Sequence, residues 1–134
     1  MNCLGIPVRY DASEDGVASC SGIWPGYWIN VGPGWLGLPQ RQKDAVLMHE
    51  AAHVRLWHIE IRMLLLPLSW MSFVQRIMDR QEEAADRFVV EQGLGVELLE
   101  VLSKHLDDDR RLYPAGRLTH IERVINEHHH LVSA

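Results

Sequence analysis

Residues His49-Glu50-Ala51-Ala52-His53 read H-E-x-x-H inside an apolar helical stretch, and no other feature of the chain restricts its fold as far. Residues four apart on an α-helix share a face, one turn apart. His49 and His53 therefore project together and can bind one zinc ion through their imidazoles. Glu50 lies at the edge of that face, where its carboxylate can reach a water without being a ligand, as a general base must. Zinc in such a place polarises a scissile carbonyl and lowers the pKa of its water. Val46, Leu47, Ala51, Ala52, Val54 and Leu56 make the stretch apolar round most of its circumference. That pattern belongs to a buried helix, and histidines on a buried helix need partners.

A catalytic zinc needs a third protein ligand. Arg80 to Val90 reads as a second helix, with Ala85, Phe88 and Val89 as its packing stripe and Glu82 and Asp86 together on one face. Ala84 and Ala85 are small enough to admit a neighbouring helix. Glu82 is the candidate ligand. Asp86 is placed to accept the Nδ1–H of a ligand histidine and so fix its tautomer.

H-E-A-A-H followed by E-x-x-A-D on a later helix resembles the gluzincin metallopeptidases, above all the HtpX-type heat-shock membrane proteases and CAAX prenyl proteases, and among short chains the minigluzincins. The resemblance covers residues 27–58 and 80–92 and runs loosely into the last third. It implies His49, His53 and Glu82 as zinc ligands, one zinc per chain, Glu50 as general base and Asp86 as supporting carboxylate. The family's C-terminal His-Pro, whose histidine helps to hold the oxyanion, is here Tyr113-Pro114, followed by Arg117. A tyrosine hydroxyl can donate to an oxyanion. Tyr113, Arg117 and His120 are the candidates for that role, with Arg123 in reserve.

At 134 residues the chain is long enough for one domain with a real core. A net charge of −5 without a basic stripe argues against nucleic-acid binding. Cys3 and Cys20 lack metal-motif spacing. The first residues lack the charged and apolar regions of a signal peptide. A reducing cytoplasm is the expected location, with both thiols as small, partly buried side chains. A Cys thiolate capping the zinc is the alternative, since zinc accepts sulfur readily.

The expected architecture is α+β and zincin-like, with an N-terminal hairpin or small sheet followed by four or five helices around the HExxH helix. The expected segments are 1–38 irregular and β, 39–58 active-site helix, 59–79 apolar connection, 80–92 glutamate helix, and 93–134 C-terminal helices and tail. Val8 to Tyr10 reads as a short strand and Ser21 to Val31 as a hairpin. Ile29 to Val31 is the candidate edge strand for pairing with a substrate. The tryptophans before and within the active-site helix are expected in core and hairpin packing. His128 to His130 reads as a frayed, solvated helix end.

Met63 to Val74 is an almost uncharged run, too short to cross a membrane and broken by Pro67. A buried connection between the two metal-bearing helices is the leading expectation. The alternatives are an oligomer or partner interface and shallow membrane attachment through Trp70 and Phe73, with Arg62 and Arg76 at its ends. The function expected from all of this is zinc-dependent hydrolysis of peptide bonds in a peptide or protein substrate, in an active or latent enzyme. The competing readings are a regulatory protease cutting one partner such as a repressor, and a non-catalytic zinc-binding module.

Overall fold

The computed structural model describes residues 2–105 and 114–133. Four strands come first: β1 (Asn2–Cys3), β2 (Ile6–Tyr10), β3 (Ala18–Ile23) and β4 (Gly26–Val31). Helices follow: α1 (Pro33–Leu36), α2 (Gln40–Arg55), α3 (His58–Leu65), α4 (Ser72–Glu91), α5 (Gly95–His105) and α6 (Pro114–Ser133), with a 3₁₀ turn at Leu66–Leu68. The chain is thus α+β, with a small sheet ahead of its helices.

The sheet has the order β1-β2-β4-β3. β3 and β4 form the hairpin read from the sequence, pairing antiparallel from Ala18 with Val31 to Ile23 with Gly26. Gly22 in β3 has φ +100, and a side chain there would collide with the Gly26 carbonyl. Strand alternation divides β4. Ile29 and Val31 are buried, while Trp28 and Asn30 lie on the outer face under Arg9, 4.7 Å above the indole, and against Ser21. One expectation is corrected here. Ile29 to Val31 is not an edge, because β2 pairs with β4 in parallel on its other side. The edge beyond β4 is β3. Pairing of distant strands is not written in the local pattern that marks a strand.

α2 is buried on two sides. One side packs Val46, Leu47, Ala51 and Val54 on Ile6, Ile29 and Val31 of the sheet, with Trp35 and Val101. The other brings Ala45 against Val89 and Val90 of α4, Leu98 of α5, and Ile121 and Val124 of α6. Small side chains at the crossing, Ala45 and Ala52 on α2 and Ala85 on α4, are fully buried and let the two helices approach closely. This approach sets His49 and His53 opposite Glu82 and Asp86. α4 ends where Gly93, at φ +81, takes the left-handed turn that closes the helix. Ile121 has no accessible surface. Ile121→Ala should cost about 2–5 kcal/mol in denaturant unfolding, from lost burial plus the cavity left behind.

The segment from 59 to 79 departs furthest from expectation. It holds α3, the 3₁₀ turn and the first two turns of α4, which starts eight residues before the expected glutamate helix. It is not a buried connection: Leu64 and Trp70 are each 80% exposed and Leu66 69%. Pro67 sits in the 3₁₀ turn, where its fixed φ is tolerated. Of the tryptophans expected in packing, Trp35 is buried and Trp28 is on the hairpin, but Trp24 and Trp57 are exposed. His128 to His130 lie near the C-terminal end of α6, His129 and His130 exposed. No helix among the described residues is long and apolar enough to cross a membrane.

Candidate metal centre

His49 and His53 face each other one turn apart on α2, with Nε2 atoms 3.1 Å apart. From α4, Glu82 places Oε2 3.2 Å from His49 Nε2 and Oε1 3.3 Å from His53 Nε2. All three side chains are buried, and they are the one group of His, Cys, Asp and Glu among the described residues close enough to share a metal ion. A tetrahedral zinc bound at about 2.0–2.1 Å needs donors roughly 3.3 Å apart. The triangle of Nε2, Nε2 and carboxylate has that size.

The outward Nδ1 atoms are also occupied. His49 Nδ1 lies 2.9 Å from Asp86 Oδ1. Asp86 has no accessible surface, and Arg117 of α6 grips it with Nε on Oδ2 and Nη2 on Oδ1, both at 2.8 Å. His53 Nδ1 meets His58 Nδ1 at 2.7 Å. Burial, then the charges of His53 and Arg62, push the His58 pKa down to about 4, so His58 is the neutral acceptor and His53 donates its Nδ1–H. Each of the two histidines is thereby oriented with Nε2 turned inward, the orientation that a metal-binding imidazole requires.

Two of these partners escaped the sequence reading. His58 lies five residues after His53, a spacing that would carry it off the ligand face of a continuous helix. Trp57 breaks the helix in a left-handed conformation, φ 62, and the chain folds His58 back. A bulky residue in that region is strained by roughly 1–2 kcal/mol. The sequence marks Arg62 only as a charge at one end of the apolar run. Its Nη2 donates to Glu82 Oε1 at 2.9 Å, and its Nε to Gln81 Oε1 at 2.6 Å. Nothing local in sequence marks either contact, because both depend on how α3 returns against α4.

The site is a dense charge cluster. Burial would push the His49 imidazolium down, but Asp86 and Glu82 outweigh it and raise its pKa to about 10. Burial would raise the Glu82 carboxyl, yet hydrogen bonds from His49 and His53 hold it far below the usual range. Asp86 is likewise lowered, against its burial, by His49 and Arg117. A buried carboxylate left without its cation costs several kcal/mol. Arg117→Ala strips Asp86 of one of its two cationic partners, the other being His49, and should destabilise the fold by about 3–5 kcal/mol in denaturant melts, with Arg117→Lys recovering only part.

Glu50 is half-buried on the sheet side of His49 and His53. The Cys20 thiol of β3 faces it. Burial first, and then the Glu50 charge, push the Cys20 pKa upward, so the group stays a thiol. Cys20 is outside the donor group. Both cysteines are free and half-buried. Arg117 has two of its five N–H groups on Asp86, and its Nη2 lies 3.9 Å from Glu82 Oε2. His120 is buried. Its Nδ1 accepts from Arg123 Nη2 at 3.0 Å, leaving Nε2–H without a partner among the described residues. Tyr113 lies outside the described residues.

Comparison with known proteins finds no matching family model, no matching curated protein and no matching solved structure.

Proposed function

We propose that this chain is a zinc-dependent endopeptidase of zincin-like, gluzincin type. One observation carries the reading: two inward Nε2 atoms and a carboxylate at 3.1–3.3 Å, each histidine held from behind, with a further glutamate beside them that is not a ligand. A structural zinc site is normally closed by four protein ligands and needs no extra carboxylate. Among the described residues three donors converge, so a zinc held by them would keep a coordination position for solvent.

When bound at His49, His53 and Glu82, zinc would supply Lewis acidity and a more acidic water. The chain's own residues do the remainder. Glu50 takes a proton from the attacking water and returns it to the leaving amine. Asp86 and His58 hold the ligand rings. Arg62 and Arg117 balance the buried carboxylates. β3 has no strand partner on its outer edge among the described residues, and an extended substrate would add there by main-chain hydrogen bonds. Tyr113, Arg117 and His120 are the candidate oxyanion donors. Two free thiols suit a reducing cytoplasm, the location we propose. The test is cleavage of a peptide library followed by mass spectrometry. Cleavage should vanish with a chelator and return with zinc. No cleavage by fully zinc-loaded protein would reduce the reading to zinc binding alone.

The metal-free protein makes a sharper prediction. His49 is raised from 6.5 to about 10 and holds a proton at pH 8. A metal ligand must be neutral, so zinc uptake at pH 8 should release about one proton from the protein. Calorimetry in buffers of different ionisation enthalpy measures it. Release near zero would mean that His49 is already neutral. The sign for folding follows from the raised pKa. His49 stabilises the metal-free fold fully below pH 6.5, and that contribution is lost as pH rises towards 10.

A further inference from the structure

Eleven of the fifteen exposed large apolar side chains among the described residues fall in two short segments, Ile23–Trp24 and 56–73. The segments are neighbours. The Trp24 backbone N–H donates to Glu60 Oε1 on α3, and the Tyr27 hydroxyl binds the same carboxylate. Together they make one apolar ridge along α3, the 3₁₀ turn and the tip of the β3–β4 hairpin. Its crest is Leu64, Leu66 and Trp70, each more than two-thirds exposed. Scattered exposed apolar residues are ordinary, but a concentration of this kind marks a surface with a partner.

The charges around the ridge identify the partner's chemistry. Between Arg55 and Arg80 four arginines accompany only two carboxylates, in a chain whose net charge is −5. Glu60 is held by Tyr27 and Trp24, and Asp79 by Gln75. Arg62 is turned inward to Glu82. Arg55, Arg76 and Arg80 are exposed and make no ion pair among the described residues. Among the described residues the ridge is therefore apolar at its crest and flanked by three exposed arginines, with the carboxylates of Glu60 and Asp79 engaged in hydrogen bonds, on a molecule whose net charge is −5. A second copy meeting this face about a two-fold axis would bring the arginines of both copies to the same interface. An anionic lipid surface matches both components: leucine and tryptophan enter the headgroup and acyl boundary, and arginines remain at the phosphates.

We propose that this ridge docks the protein on anionic membranes, lying in the interface without crossing the bilayer. The inference uses none of the metal ligands, so it stands or falls apart from the hydrolytic reading. The full chain is sedimented with vesicles of phosphatidylcholine alone and of phosphatidylcholine mixed equally with phosphatidylglycerol. Binding to the mixed vesicles should be stronger by about tenfold or more. Leu64→Ser with Leu66→Ser and Trp70→Ser should lose most binding to either. Arg55→Glu with Arg76→Glu and Arg80→Glu should lose the preference for anionic lipid. Brominated lipid should quench wild-type fluorescence and quench Trp70→Phe markedly less, a comparison that survives if the triple serine variant fails to fold. The proposal is overturned if wild type binds mixed vesicles no better than neutral ones. It is also overturned if wild type is a dimer that the serine variant turns into a monomer while neither binds vesicles, since the ridge then belongs to a second copy.

Discussion

Glu50→Gln should bind zinc like wild type and cleave peptides about 10²–10⁴ times more slowly, the usual scale for losing a general acid–base group. The argument begins with position. Glu50 follows His49 directly on α2, so it stands about 100° round the helix from the ligand face and remains outside the donor group. The amide keeps the carboxylate's shape but cannot accept a proton at neutral pH. Zinc content and melting temperature should therefore stay near wild type while turnover collapses. Zinc content measured beside the rate separates the two readings of a dead variant. A Glu50→Gln protein as active as wild type would remove the hydrolytic mechanism proposed here.

The second large effect concerns Glu82. Glu82→Ala removes one of three donors and leaves the two imidazoles facing each other across an empty corner. It also deprives Arg62 of its carboxylate partner, leaving it Gln81. Loss of a residue that only supports a ligand weakens metal binding by 10–100-fold, so loss of the ligand itself should exceed about 100-fold. Asp86→Asn belongs to the smaller class and should fall inside that range. Competition with a chromophoric chelator ranks the variants. If Glu82→Ala kept wild-type affinity, the third donor would have to lie elsewhere in the chain.

The parts of this centre that were legible in the sequence share a cause. His49 with His53, and Glu82 with Asp86, are i,i+4 pairs on helices, where the covalent repeat fixes relative direction without help from the rest of the fold. The hairpin was legible because its aromatic and β-branched residues are broken by turn residues. What stayed hidden depends on tertiary placement. His58 reaches His53 only through the left-handed residue Trp57. Arg62 reaches Glu82 only because α3 turns back along α4. β4 is interior only because the distant β2 joins it. The 63–74 run shows the limit of hydropathy: an apolar stretch reads as buried, while this one carries the most exposed large apolar side chains among the described residues.

Anomalous diffraction recorded on both sides of the zinc absorption edge, from protein purified without added metal, tests the central claim most directly. The account predicts one peak per chain, about 2.0–2.2 Å from His49 Nε2, His53 Nε2 and a Glu82 carboxylate oxygen, with the fourth position open to solvent. No peak among these three side chains after zinc is supplied, or zinc bound without Glu82, would contradict it.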